Sequence, residues 1–338
     1  MVHRKTPLTM SQPIQHVVPA QPKCAQHGFL HTRYGECMIP AFIDPKAIDL
    51  LRNTWDTQAD DIIICTHQKV GTHLTKKYVV EILRKAGLLG DTHPAADGDI
   101  GKAAVPWPEV MVSQKGITEF EAFLKKTTGQ PRIFYTHGNI DELPVRHLHP
   151  KTKIVMAYRD PKGAAVSQYH FYKNHPTLGV SQDLTITEFV HHFVQGDMYF
   201  GDYHDHVSGY FRAAQFGLDP KQLCIVHFKD LVEDKLNAVQ TLSTFLLGGA
   251  LTEQDTMAVA LSTEFNTMKE AIRKKPGSFH FNPDRFFRSG KTEDWKVQLP
   301  ADAIALINAK TAEKWGSAKA IAPQAPHLDN GDLTKLAA

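Results

Sequence analysis

Apolar residues cluster in short blocks along this chain. "DIIICT" (61–66), "RIFYTH" (132–137), "KIVMAY" (153–158) and "CIVHF" (224–228) are apolar runs with polar flanks. Runs of this length, rich in Ile and Val, predict strands buried on both faces. Between them the apolar positions recur at helical spacing. In "THLTKKYVVEILRKAG" (72–87), Leu74, Tyr78, Ile82 and Leu83 mark one face and Gly87 offers a stop. Further helices are predicted at 160–174, 187–195, 203–216, 234–247 and 254–273. Strands alternating with helices predict an α/β fold: a parallel sheet with helices on both faces. Ligands of such sheets bind beyond the carboxyl ends of the strands. The residues just after 65, 136, 158 and 228 therefore matter most.

Some stretches break the pattern. Residues 88–115 show no clear period, and 274–291 scatter aromatic residues among positive charges. Loops of that length in a compact domain are usually functional or disordered. Residues 1–28, rich in Pro and Gln, read as a mobile arm, and 319–338 as a frayed tail, around one domain at 29–318.

Composition narrows the class. With 42% hydrophobic and 22% charged residues, the chain has the material for a sizeable core. A net charge of +2 is too mild for a nucleic-acid coat, so anion binding must come from local clusters. Cys24, Cys37, Cys65 and Cys224 form no CxxC pair and read as free thiols of a reducing compartment. No signal peptide and no run of 18 apolar residues is seen, so the expected location is the cytoplasm, with no membrane contact.

Four stretches carry candidate chemistry. "CTHQKVGTH" (65–73) joins a strand to a helix, where free backbone N–H groups and the helix dipole favour an anion. Lys69 adds a charge, Gly71 permits close approach, and Thr72 offers a hydroxyl. The spacing is not that of a Walker A loop, and an ordinary turn with a solvated lysine fits this loop equally well. In "AYRDPKGAAVSQYHFYK" (157–173), Asp160 and Pro161 suit a helix start, and Arg159 with Ser167 could hold a phosphate; a helix cap and a surface charge is the plainer reading. His137 follows a strand, well placed for a general base, although it is one of 19 histidines. In "FFRSGKTEDWK" (286–296), Arg288, Ser289, Gly290 and Lys291 form a basic turn. His191–His192 and "HDH" (204–206) lack a clear third ligand, so no metal site is expected.

Taken in order, these stretches resemble the cytosolic sulfotransferases that use 3′-phosphoadenosine 5′-phosphosulfate (PAPS). "THQKVGTHL" (66–74) is similar to the family's T-Y-P-K-S-G-T-T-W, "YTH" to its K-T-H, and "RDPKGAAVSQYHF" to R-N-x-K-D-x-x-x-S-x-x-x-F. "TEFNTMK" resembles T-S-F-x-x-M-K, and "RSGKTEDWK" resembles R-K-G-x-x-G-D-W-K. The resemblance runs from about residue 34 to 310. It implies a single α/β domain with a P-loop-kinase-like parallel sheet and sulfuryl transfer from PAPS to a small-molecule hydroxyl or amine.

The resemblance also implies roles. His137 would be the general base, and Lys69 would stabilise the sulfate and leaving oxygen. Lys69, Val70, Gly71, Thr72, His73, Leu74, Arg159, Ser167, Phe228, Thr263, Phe265, Arg288, Ser289 and Gly290 would hold PAPS and its product adenosine 3′,5′-bisphosphate (PAP), without a metal. The chain departs from the family at Val70 for serine, Leu74 for tryptophan, Tyr135 for lysine, Phe228 for tyrosine, Ser289 for lysine and Glu293 for glycine. His73 is the nearest residue to compensate. The family's short dimer motif is not matched, which leaves the oligomeric state open. Trp107, Phe279, Phe281 and Phe286 are expected to wall the acceptor pocket, while Asp91, Asp97, Asp99 and Glu109 would favour a cationic acceptor. A kinase on the same sheet and a non-catalytic PAP binder are the competing readings.

Overall fold

The computed structural model describes residues 26–274 and 287–316. The expected N-terminal arm, the C-terminal tail and the pocket candidates Phe279, Phe281 and Phe286 lie wholly or largely outside them.

The four apolar runs form one parallel sheet. Its strands are β3 (Ile62–Thr66), β4 (Ile133–Thr136), β5 (Lys153–Tyr158) and β6 (Leu223–His227), in the order β4-β3-β5-β6. Every residue of β3 is buried, as an interior strand covered on both faces requires. The register pairs Ile64 with Tyr135 on one side and with Val155 on the other. At the amino-terminal ends of β3 and β4, the Asp61 carboxylate meets the Arg132 guanidinium in a buried two-pronged ion pair, with Nε 2.6 Å from Oδ1. It ties the starts of β3 and β4 together.

The helices fall largely where the periodicity places them. α2 (Thr72–Lys85) follows β3, and Tyr78, Ile82 and Leu83 point into the core. α5 (Pro161–Asn174) follows β5; the Asp160 side chain accepts from the Lys162 N–H and Pro161 occupies the first turn. α6 (Ile186–Gln195) and α9 (Lys235–Leu247) match their predicted runs, whereas the run 203–216 is α7 (Tyr203–Phe211) followed by a separate 3-10 turn at Ala213–Phe216. The stretch 254–273 is two helices, α10 (Glu253–Ser262) and α11 (Phe265–Arg273), broken at Thr263 and Glu264. β6 ends at His227, and Phe228 opens the short α8 (Phe228–Glu233).

Several elements lie beyond the periodic reading. β1 (His31–Tyr34) and β2 (Cys37–Pro40) form an antiparallel hairpin, followed by α1 (Pro45–Thr54). The unperiodic segment 88–115 ends in a helix, α3 (Pro108–Lys115), followed by α4 (Ile117–Lys126). Two turns of helix are too short to display a stripe, which is why the pattern there looked irregular. α12 (Ala301–Trp315) closes the described chain against α6 and α7. Among the described residues no helix is long and apolar enough to cross a membrane, and Cys37, Cys65 and Cys224 are free thiols.

Candidate functional site

The carboxyl ends of all four sheet strands border one cavity of about 1080 Å³. The loop after β3 contributes Lys69, Gly71 and Thr72, and the first turn of α2 adds His73 and Leu74. β4 and its loop contribute Tyr135 and His137. Arg159 follows β5, Ser167 lies farther along α5, and Phe228 follows β6. Thr263, Phe265 and the turn Arg288–Ser289–Gly290 complete the wall. Val70 differs: it is fully buried in the core and does not line the cavity.

The first loop turns through left-handed backbone. Gly71 has φ 111°, and Lys69, a residue that seldom adopts such a value, has φ 63°. A β-carbon on Gly71 would lie 2.6 Å from Cδ2 of Phe228, so glycine is demanded by both conformation and space. Gly71 is also the N-cap of α2, and the first N–H groups of a helix have no intrahelical acceptor. Burial pushes the Lys69 ammonium down to about 7, and the neighbouring positive charges of Arg159 and Arg288 add to the effect.

His137 is oriented by main chain. Its Nδ1 lies 2.7 Å from the Thr66 carbonyl oxygen. A carbonyl only accepts, so Nδ1 carries the proton and Nε2 presents a lone pair. Burial lowers His137 to about 4; the Thr66 carbonyl opposes this, and the Lys76 and Lys69 ammonium groups reinforce it. The imidazole is therefore neutral at neutral pH. The Thr66 hydroxyl, 2.8 Å from that of Thr72, links the histidine to the opening of α2.

Arg159 is fixed on three sides. The Tyr203 hydroxyl accepts from its backbone N–H at 2.9 Å and donates to its carbonyl at 2.5 Å. Its Nη2 donates to the Lys291 carbonyl at 3.1 Å, and its guanidinium lies 4.4 Å from the centre of the Phe228 ring. Phe228, which lacks the expected hydroxyl, thus offers Arg159 a cation–π face. Arg288 pairs with Asp294. Gly290, at φ 66°, packs under Phe265, where a β-carbon would lie 2.5 Å from Cδ2. Lys162, part of the same sequence motif as Arg159, turns away: its ammonium meets Asn308 at 3.1 Å and the Trp295 ring.

The part of the cavity expected to receive an acceptor differs from expectation in charge. Trp107 does line the cavity, edge-on to His137 with ring centres 4.8 Å apart. Asp91, Asp97, Asp99 and Glu109 do not line it. Asp97 accepts from the Asp99 N–H, Asp99 accepts from the Gly101 N–H, and Glu109 bonds the Thr136 hydroxyl. Burial pushes Glu109 up to about 7. His73, held neutral by burial with Lys76 and Lys69 nearby, supplies no positive charge to offset the missing lysine at 135.

The residue that sequence reasoning overlooked is Lys76. It is 2% exposed, yet it lines the cavity with Nζ 4.2 Å from the centre of the Tyr135 ring. Its signal was spacing: it lies one helical turn beyond Thr72 and so shares its face. The histidines considered for metal lie elsewhere. His192 bonds Asp197 at 3.2 Å, His204 bonds Thr311 at 3.0 Å, and His206 bonds Asn139 at 3.1 Å.

Comparison with known proteins gives a consistent result. A family model described as the sulfotransferase domain matches residues 59–318. Sulfotransferase 6B1 of Danio rerio is 27% identical over 267 residues, covering 79% of this chain and 82% of its own. Sulfotransferase 1A1 of Bos taurus is 27% identical over 274 residues, covering 79% and 87%. Among solved structures, mouse sulfotransferase SULT7A1 complexed with PAP is similar at a TM-score of 0.66 and 22% identity, covering 86% of this chain and 96% of that one. Retinol dehydratase in complex with androsterone and inactive cofactor PAP is similar at 0.64 and 16% identity, covering 86% and 91%. The structural likenesses speak for the fold. The family match spans most of the sequence and takes in the loop after every strand of the sheet, and on that ground the chain belongs to the sulfotransferase domain family.

Proposed function

We propose that the protein transfers a sulfuryl group from PAPS to a hydroxyl or amine of a small molecule, with His137 as general base. The observation that carries this reading is the convergence of His137 and Lys69, on loops after adjacent strands, upon one cavity. The residues fit an anionic donor. Lys69, Arg159 and Arg288 border the cavity together, and the one acidic side chain among its described lining residues, Glu264, is paired with Lys235 at 3.3 Å. Clustered cations, of which Arg159 is buried, favour an anion between them.

Within this reading, the Arg159 loop, Ser167 and the Arg288–Gly290 turn hold the nucleotide phosphates, and Phe265 faces the base. PAPS supplies an activated sulfuryl group on a phosphate leaving group. The acceptor oxygen or nitrogen forms the new bond to sulfur as the bridging S–O bond breaks. His137 Nε2 takes the acceptor proton, and the electron pair of the broken bond goes to the phosphate oxygen, beside Lys69 and the N–H groups of α2. Electrostatic stabilisation of this kind works best in groups already fixed in place. No metal ion has a part in this scheme.

The test is His137→Ala with PAPS and an acceptor found by screening. Turnover should fall by roughly 10²–10⁴-fold, while PAP affinity stays close to that of the unaltered protein. Unchanged sulfate transfer would remove His137 from the role. Transfer from Mg-ATP and none from PAPS would sink the whole reading in favour of a kinase.

A further inference from the structure

We propose that the acceptor carries an anionic group, which Lys76 receives beside the aromatic wall of Tyr135 and Trp107, with Lys102 at the rim. The inference rests on the PAPS-dependent reading of the same cavity and adds the chemical class of its second substrate.

Lys76 is an unusual residue for a buried helix face. Its ammonium opens onto the cavity against the Tyr135 ring, and among the described residues it forms no ion pair. A cation–π contact of this kind is worth about 0.5–2 kcal/mol, less than the cost of burying an ammonium without an anion. Burial accordingly pushes Lys76 down to about 7; Asp99 opposes the shift and Lys102 reinforces it. Lys102 also borders the cavity and has no ion pair among the described residues. An anion beside Lys76 would relieve its burial, with the exposed Lys102 as a second positive charge at the rim.

The position of these lysines assigns them to the acceptor. Lys69, Arg159 and Arg288 act on one another around the proposed donor loops. Lys76 lies instead on the Tyr135 side, close enough to depress His137, whose ring is edge-on to Trp107. Phe42 packs edge-on to Trp107 in turn. The walls thus suit a flat apolar body, and the fixed charge beside it is positive. Asp99, the acid that acts on Lys76, does not line the cavity and accepts from the Gly101 N–H. This reverses the preference that the acidic residues of 88–115 suggest in the sequence.

The experiment compares two phenols of one skeleton, 4-hydroxyphenylacetate and 4-hydroxyphenylacetamide, with the full chain and saturating PAPS. The anionic phenol should show kcat/KM roughly 10-fold or more above the amide, a usual size for a hydrogen bond to a charged group. Lys76→Met should abolish that ratio by lowering the anionic phenol's kcat/KM roughly 10-fold more than the amide's, with PAP affinity close to that of the unaltered protein, and Lys76→Arg should keep most of it. Thermal melting of each variant, with PAP titration, checks that it is folded. Equal handling of the two phenols by the unaltered protein overturns the proposal. So does an equal loss on both in Lys76→Met, or a selective loss of PAP affinity, since either places Lys76 on the donor. If the protein sulfates 2-naphthol but binds neither test phenol, the proposal also falls and sulfotransfer stands. Failure to bind PAP at all would instead strike the donor reading beneath it.

Discussion

At the scale of single residues, the most consequential is Lys69. It is held at a left-handed φ, and burial with Arg159 and Arg288 nearby brings its ammonium down to about 7. Left-handed backbone at a residue other than glycine is a form of strain found mostly at functional sites. The depressed value makes the proposed binding of PAP depend on pH. An anionic ligand favours the protonated lysine, so binding must raise its pKa. Below about 7 the free protein already carries that proton; above it, binding PAP must take one up. Calorimetry at pH 8 in two buffers of different ionisation enthalpy should therefore show net proton uptake on PAP binding. The uptake should vanish in Lys69→Met and shrink at pH 6. Uptake that is the same at both pH values, or that persists in the variant, would show that another group titrates.

Elements show how far the sequence could be read. The four sheet strands were legible because each is an unbroken apolar run, the helix after β3 because Leu74, Tyr78, Ile82 and Leu83 recur at helical spacing before Gly87, and the helix after β5 because its start carries Asp160 and Pro161. The β1–β2 hairpin was not legible: every residue of β1 is only partly buried, so no alternation marks it. The break at Thr263–Glu264 hid between two periodic runs. Lys76 was passed over because a lysine in a helix ordinarily reads as solvated; only the fold shows its head turned into the cavity. The residues after the strands converge as their places in the pattern imply, whereas the charge beside Tyr135 and Trp107 depends on which way the 88–115 segment turns its carboxylates.

The Asp61–Arg132 pair makes an element-scale prediction. Both side chains are at most 2% exposed, and Asp61 also accepts from the Gln58 N–H at 2.8 Å. Removing one member of a buried pair strands the other charge, at a cost of about 3–5 kcal/mol. Arg132→Met should lower the urea midpoint accordingly, and adding Asp61→Leu should recover part of the loss. The pair is at the far end of β3 and β4 from Lys69 and His137, so folded Arg132→Met should bind PAP as before. If Arg132→Met costs under about 1 kcal/mol, the pair behaves like an exposed one and does not pin the strands.

At the scale of the whole molecule, one cavity gathers the ends of four strands, the α10–α11 junction and the Arg288–Gly290 turn. A ligand there touches segments more than 200 residues apart, from Lys69 to Gly290, so its binding energy should act on the domain as a unit. A ligand that binds only the native state stabilises by RT ln(1 + [L]/Kd), about 2.7 kcal/mol at a hundredfold excess over Kd. For a chain of this size that corresponds to a rise of roughly 5 °C in Tm. PAP should give that rise as a single shifted transition. Mg-ATP at the same concentration should give much less, because the β3–α2 loop has its lysine two residues ahead of the glycine, without the upstream glycine of a Walker A loop. An equal shift with ATP would mean that the cavity does not discriminate by the nucleotide's phosphate pattern. A shift confined to part of a split transition would mean that the basic turn and the strand ends do not close on one ligand.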